Sequence, residues 1–341
     1  MSPSLFCMKI GKNSLEMENV KNKSEKQRIE YIDIVKGVCI LWVLLYSYFT
    51  SGGMVDIKEI KWLSWLEVPY PVFLFFFISG IFFRINPFRD FLKKGIKTLI
   101  IPFLGFWFIG FLCAIVKYEL IANFISTDYT EISFVEYATA LKGLFYLCPD
   151  IPPHFVNHSL WFLMVLFFVQ LFHYFCCKFI KRKEILVFIG LFLFIIAGNY
   201  LYEQKISGPF YLSGICELYL YYLTGHFWGK EIINIVEKKR KGLKLMLICC
   251  LLILTALSFV HTDNFTITQI LIFIRSICIY PIIVAVCKLI THLKSLATPL
   301  KYCGIHSLEI LVTFVLVFEV LNNLIFKVIL RLPGNNPLEH V

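Results

Sequence analysis

Charge is scarce in this 341-residue sequence: Asp, Glu, Lys and Arg together make up 16%, against 58% for the hydrophobic residues. A soluble globular domain carries about 25% charged residues, so the shortage excludes an ordinary water-soluble fold. Also missing is the apolar–polar alternation over about ten positions that marks a transmembrane β-strand. The stretch up to Arg28 is polar and lysine-rich, with no early apolar core and no small-residue cleavage site. A cleaved signal peptide is therefore not expected, and the first apolar run acts as its own anchor. There is no HExxH, no GxSxG and no glycine-rich loop leading into a helix, which removes the zinc-protease, serine-hydrolase and phosphate-loop classes. The twelve cysteines show no metal-type spacing. Pairs such as Cys176–Cys177 and Cys249–Cys250 lie inside apolar runs and read as small core residues, and no metal is expected.

What the chain has instead is long apolar runs, each about the length that crosses a hydrocarbon core of roughly 30 Å. They cover residues 31–50, 71–83, 98–116, 160–176, 185–201, 211–228, 245–260, 270–286 and 308–330. Between the third and fourth runs, the segment 118–157 is rich in acids and aromatics, and its part 134–147 reads as an amphipathic, re-entrant or further crossing helix. The expected fold is all-α: a polytopic integral membrane bundle of nine or ten transmembrane helices. It comprises a polar basic segment 1–30, a transmembrane domain 31–331 with its outer loop 118–157, and a tail 332–341.

The net charge of +10 does not point to nucleic acid, because the basic residues sit in short loops. They follow the second, fourth, sixth and eighth runs, and the loops between are neutral or acidic. That alternation is the positive-inside pattern and predicts a multi-pass protein of the plasma (inner) membrane with a cytoplasmic N-terminus. One of these basic stretches, read as a loop, holds Arg84, Arg89, Lys93, Lys94 and Lys97.

The first run, YIDIVKGVCILWVLLYSYFT, sets the frame for function. Lys36 and Ser47 stand eleven positions apart, close to three helical turns, so they share one face across roughly 16 Å of axis. Asp33, one turn before Lys36, orders it. Polar groups on one face of a membrane helix point to a bundle interior or a cavity. In the second run, Ser79 and Gly80 are small enough to let a neighbouring helix approach closely.

Four stretches in order resemble the acyltransferase-3 family of multi-span membrane O-acyltransferases, and within it the fucose O-acetylase-like branch. They are RIEYIDIVKGVCILWVLLYS at 28–47, PVFLFFFISGIFF at 71–83 running on into KKGIKTLIIPF at 93–103, HSLWFLMVLF at 158–167, and YCGIHSLEILV at 302–312. The resemblance implies transfer of an acyl group, commonly acetyl, from cytoplasmic acyl-CoA to a sugar hydroxyl. The acceptor it implies is a cell-surface polysaccharide or its lipid-linked precursor. Coenzyme A is highly anionic, so its site needs cations on the cytoplasmic side; Lys36, Lys93, Lys94 and Lys97 supply them. Trp161 offers an aromatic face for the sugar to stack on.

The chain departs from the family at one telling place. The first-helix histidine, expected eleven residues after Lys36, is Ser47. The late segment has His306 where the family commonly has asparagine, and Thr313–Phe314 where a second histidine often stands. Serine cannot serve as a base at neutral pH without a partner. Three readings stay open: His158 as a relocated base, Ser47 as a covalent acyl acceptor with His158 as its base, or a homologue without transferase chemistry that carries a glycan or lipid. A transporter is the rival class, with Glu217, Glu309 and Glu319 as its candidate intramembrane acids, but no internal repeat supports it.

Overall fold

Long apolar runs leave the backbone no partner but itself in a hydrocarbon medium, and helices satisfy it within each segment. The computed structural model describes residues 30–51, 70–115, 160–196, 201, 211–238, 240–260, 262 and 264–322. The segment 118–157, expected as an outer loop, His158 and the tail 332–341 lie outside the described residues, and of Ser47 only the backbone is described. In order, the helices are α1 (Glu30–Ser51), α2 (Tyr70–Ile81), α3 (Phe88–Gly95), a π-helical turn (Ile96–Ile100), α4 (Ile101–Ile115), α5 (Trp161–Phe179), α6 (Lys183–Ile196), α7 (Leu212–Lys238), α8 (Arg240–Ser258), α9 (Phe265–Ile290), α10 (Lys294–Ile305) and α11 (Ser307–Asn322). No strand occurs among the described residues.

Among the described residues, four helical stretches are long and apolar enough to cross a bilayer: Phe88–Leu112, Trp161–Phe179, Lys241–Ser258 and Phe265–Ile290. Large apolar side chains stay exposed along α4 (Ile101, Phe108), α6 (Phe188, Phe192) and α8 (Leu245, Ile248, Leu252), as they do where lipid is the solvent. The fold is an all-α membrane helix bundle.

Contacts between helix ends bring the basic connections together. The Tyr31 hydroxyl at the start of α1 donates to the Glu237 carboxylate at the end of α7 (3.1 Å). The Tyr174 hydroxyl near the end of α5 donates to the Asn86 carbonyl just after α2 (3.0 Å). Lys183 at the start of α6 lies over the Phe227 and Trp228 rings of α7, 4.9 and 4.8 Å from their centroids. One end of the bundle thus collects the basic connections. At the other end Trp42 of α1 meets Tyr70 of α2 (6.5 Å), and Trp161 of α5 meets Tyr211 (5.5 Å).

Two helix crossings depend on glycine. A side chain at Gly37 of α1 would run into the Leu300 carbonyl of α10, and one at Gly304 of α10 would run into the Asp33 carbonyl of α1. Gly80 of α2 and Gly225 of α7 face each other's helix in the same reciprocal way, against the Tyr222 and Phe77 carbonyls. Close approach through small residues is how membrane helices gain packing without a hydrophobic driving force. The reading of Gly80 as a packing residue is met.

The structure departs from the sequence reading in three places. The basic stretch after α2 is largely helix rather than loop: Phe88 and Phe91 of α3 lie on Tyr174, with Lys93 and Lys94 on the exposed side. It continues through the π-helical turn, where Ile101 N–H donates to the Ile96 carbonyl five residues back. That widened turn comes just before Pro102, which has no N–H to give and whose ring would crowd a regular preceding turn. Second, α7 runs ten residues past the apolar run that ends at Trp228, because Ile233 and Val236 keep a buried stripe going. Third, the basic stretch 294–305 forms α10, which packs on α1.

Candidate functional site

At the basic end, the mouth of α1 is a meeting of charges from four helices. Asp33 is only 3% exposed, and its Oδ1 stands 4.0 Å from Lys36 Nζ, one turn on. The expected ordering of Lys36 by Asp33 has this geometry. Lys301 of α10 donates to Glu30 at 2.8 Å. Lys288 at the end of α9 donates to the Val236 carbonyl at 2.6 Å, in the last turn of α7, where carbonyls have no partner within the helix. Lys301 and Lys288 were read as loop charges; the fold that brings them to α1 depends on α10 and on the extension of α7.

Lys93, Lys94 and Lys97 are all exposed at the same end. They stand on a different side of it, however. The turn that carries Lys97 packs on α5, whereas α1 packs on α10, α9, α2 and α11. The bundle gathers the four lysines expected to hold the donor at one end without forming them into one cluster.

Toward the other end, polar side chains converge in the core. The Arg275 guanidinium of α9 lies against the Tyr70 hydroxyl of α2 and donates to the Leu257 carbonyl in the last turn of α8 at 2.7 Å. The Tyr221 ring of α7 stacks on Phe73 of α2 at 4.3 Å. The hydroxyls of Tyr221 and Tyr280 both face Ser276, but neither makes a well-formed hydrogen bond to it; the serine donates to the Ile272 carbonyl at 2.8 Å. Glu217 lies one turn before Tyr221 and is half-buried. Trp42 places the second half of α1 beside Tyr70, and Ser47 follows about 7.5 Å further along that helix. Trp161 is half-buried at the start of α5, edge-on to Phe162 and Tyr211. Arg275 was not singled out from the sequence, although an arginine inside an apolar run of that length is the signal that finds it.

A third group lies near the basic end of α5 and α7. His173 and Cys177 share a face of α5, and His226 of α7 completes the set, with all three ligand-type atoms within 4.8 Å of one another. His173 is fully buried, while Cys177 and His226 are half-buried.

Together the fold and these sites define a polytopic helical membrane protein with a cationic end and a polar core. The family model described as an acyltransferase domain matches residues 29–339, and the chain belongs to that family, a family of membrane acyltransferases. No curated protein and no solved structure gives a match.

Proposed function

We propose that the protein is a membrane O-acetyltransferase, moving an acetyl group from acetyl-CoA to a sugar hydroxyl of a cell-surface polysaccharide or its lipid-linked precursor. The observation that carries the reading is the family match over almost the whole chain, residues 29–339. The four stretches at 28–47, 71–103, 158–167 and 302–312 resemble the fucose O-acetylase-like branch, which supports a sugar hydroxyl as acceptor. The positive-inside distribution makes the basic end cytoplasmic, in the plasma (inner) membrane, where acyl-CoA is found.

The donor's phosphates are held by Lys36 and by Lys93, Lys94 and Lys97, as charge-assisted contacts from one end of the bundle. Asp33 fixes Lys36. The acceptor enters from the other end, past Trp161. His158 takes the proton of the acceptor hydroxyl, whose oxygen attacks the thioester carbonyl. The carbon–sulfur bond breaks, and coenzyme A leaves as a thiolate that is protonated to the free thiol. Ser47 occupies the position of the family's histidine, and this favours a second reading, a homologue that binds or carries a glycan or lipid without transferring acyl groups.

Release of free thiol from acetyl-CoA by purified protein in nanodiscs, with a mixed glycan pool as acceptor, separates the two. Turnover by the wild type that is lost in His158→Ala is the expected result. A silent wild type beside an active Ser47→His would show kept sites and a lost base. Silence in both, with no acyl-CoA binding, would leave the carrier.

A further inference from the structure

The His173, Cys177 and His226 group has features that core packing alone does not require. His173 and Cys177 are four residues apart on α5, and the His173 Nε2 is 3.3 Å from Cys177 Sγ. The other ring nitrogen, Nδ1, is 3.3 Å from the Tyr219 hydroxyl of α7. That hydroxyl also reaches Cys176 Sγ. A consistent network has His173 Nδ1–H donating to the Tyr219 oxygen while the Tyr219 hydroxyl donates to Cys176. In this tautomer the Nε2 lone pair faces Cys177. A histidine whose second nitrogen is fixed by an outer partner is the usual arrangement of a metal ligand.

The third residue comes from the facing helix. The imidazoles of His173 and His226 have their centroids 4.9 Å apart. Phe83 stands edge-on to both rings, at 4.6 and 5.3 Å, and Tyr222 is edge-on to His173 at 5.1 Å. These aromatics wall the group off on the core side. Because Cys177 and His226 keep part of their surface exposed, an ion can enter from the basic end.

We infer that His173 Nε2, Cys177 Sγ and His226 hold a single Zn2+-class ion that ties α5 to α7. Bond lengths of about 2.0–2.1 Å to imidazole and about 2.3 Å to thiolate set tetrahedral donor separations of roughly 3.3–3.7 Å. The His173–Cys177 edge, at 3.3 Å, is within about 0.3 Å of the nitrogen–sulfur separation that such a centre needs. With donor atoms no more than 4.8 Å apart, His226 closes the third corner by a movement of about an ångström. Two imidazoles and a thiolate suit zinc and disfavour calcium and magnesium, which take oxygen ligands. Three protein ligands leave the fourth position to water or to an incoming thiolate. The ammonium groups of Lys183 and Lys230 lie near His226 and oppose a second positive charge. Binding therefore needs the thiolate: the Cys177 proton is released to solvent when the ion enters.

The site stands independently of the transferase reading, and cobalt provides a direct probe. Full-length protein in nanodiscs is stripped with chelator and titrated with Co2+. One equivalent is expected to give a sulfur-to-cobalt charge-transfer band and the strong visible bands of a tetrahedral centre, both removed by one equivalent of Zn2+. Cys177→Ser is expected to abolish the charge-transfer band. His226→Gln, at a half-exposed position, is expected to weaken binding by about tenfold or more, and Tyr219→Phe to weaken it about tenfold with the band retained. Cys249→Ser, at an exposed cysteine on α8, should change nothing. No band in the wild type, or a band that survives Cys177→Ser, would overturn the inference.

Discussion

The mouth of α1 and the Tyr70–Arg275 cluster in the other half of the bundle are both polar regions of a mostly apolar protein, but they are held differently. At the mouth, charges meet across helix ends: Lys301 with Glu30, Asp33 with Lys36, and Lys288 with the last turn of α7. Several of these groups are exposed, so each interaction is individually small. The close α1–α10 crossing at Gly37 and Gly304 is what fixes the geometry there. In the other half Tyr70, Tyr221 and Tyr280 are buried among packed aromatic rings, where water cannot replace a lost partner, and the half-buried guanidinium of Arg275 lies against the Tyr70 hydroxyl. Backbone approach therefore organises the first region, and side-chain polarity the second.

Substitutions that separate these two modes should differ in size. Gly304→Leu should be the most damaging, because the new side chain meets the backbone of α1 and not a side chain that can turn away. A loss of about 3 kcal/mol or more is expected, seen as collapse of the monodisperse peak in size-exclusion chromatography. A normal elution profile with unchanged melting would mean the crossing is looser than described. Arg275→Gln should come next, costing about 1.5–3 kcal/mol through loss of its charge-assisted bond to Leu257 and its contact with Tyr70. Thermal melting in detergent measures it, and Arg275→Lys should recover only part of the loss, since lysine lacks the forked geometry. Tyr31→Phe removes one hydrogen bond to Glu237 and should cost about 0.5–1.5 kcal/mol. Lys301→Ala, which breaks an exposed pair, should stay below about 1 kcal/mol and lessen further in high salt. If Lys301→Ala proved as damaging as Arg275→Gln, the contrast between the regions would fail.

The same contrast explains how far the sequence could be read. Helix positions were legible because runs such as 160–176 and 270–286 are long and apolar enough to cross a membrane, and the alternate basic loops do gather at one end. Gly80 was readable as a packing residue from its small neighbours, and the family from four ordered stretches. The helices outside the apolar runs were not legible. In α10 and in the last ten residues of α7 the apolar positions are too few to stand out, and their helicity depends on partners, Asp33 and Tyr31, remote in the chain. Arg275 left a local signal that was passed over. His173 and Cys177 show a four-residue spacing, but nothing in the chain announces that His226 will join them from α7. The separation of Lys36 from Lys93–Lys97 is likewise a matter of helix order, which charge patterning does not encode.

Acetyl-CoA binding to two variants tests most directly the assignment of donor binding to the basic end and of acceptor chemistry to the other half. Lys94→Ala/Lys97→Ala in one protein and Tyr70→Phe in another would be compared with the wild type by calorimetry in nanodiscs. The account predicts that the double lysine variant raises the Kd for acetyl-CoA about threefold to tenfold, while Tyr70→Phe leaves it unchanged. An unaltered Kd in the double variant, or an equal loss in Tyr70→Phe, would contradict it.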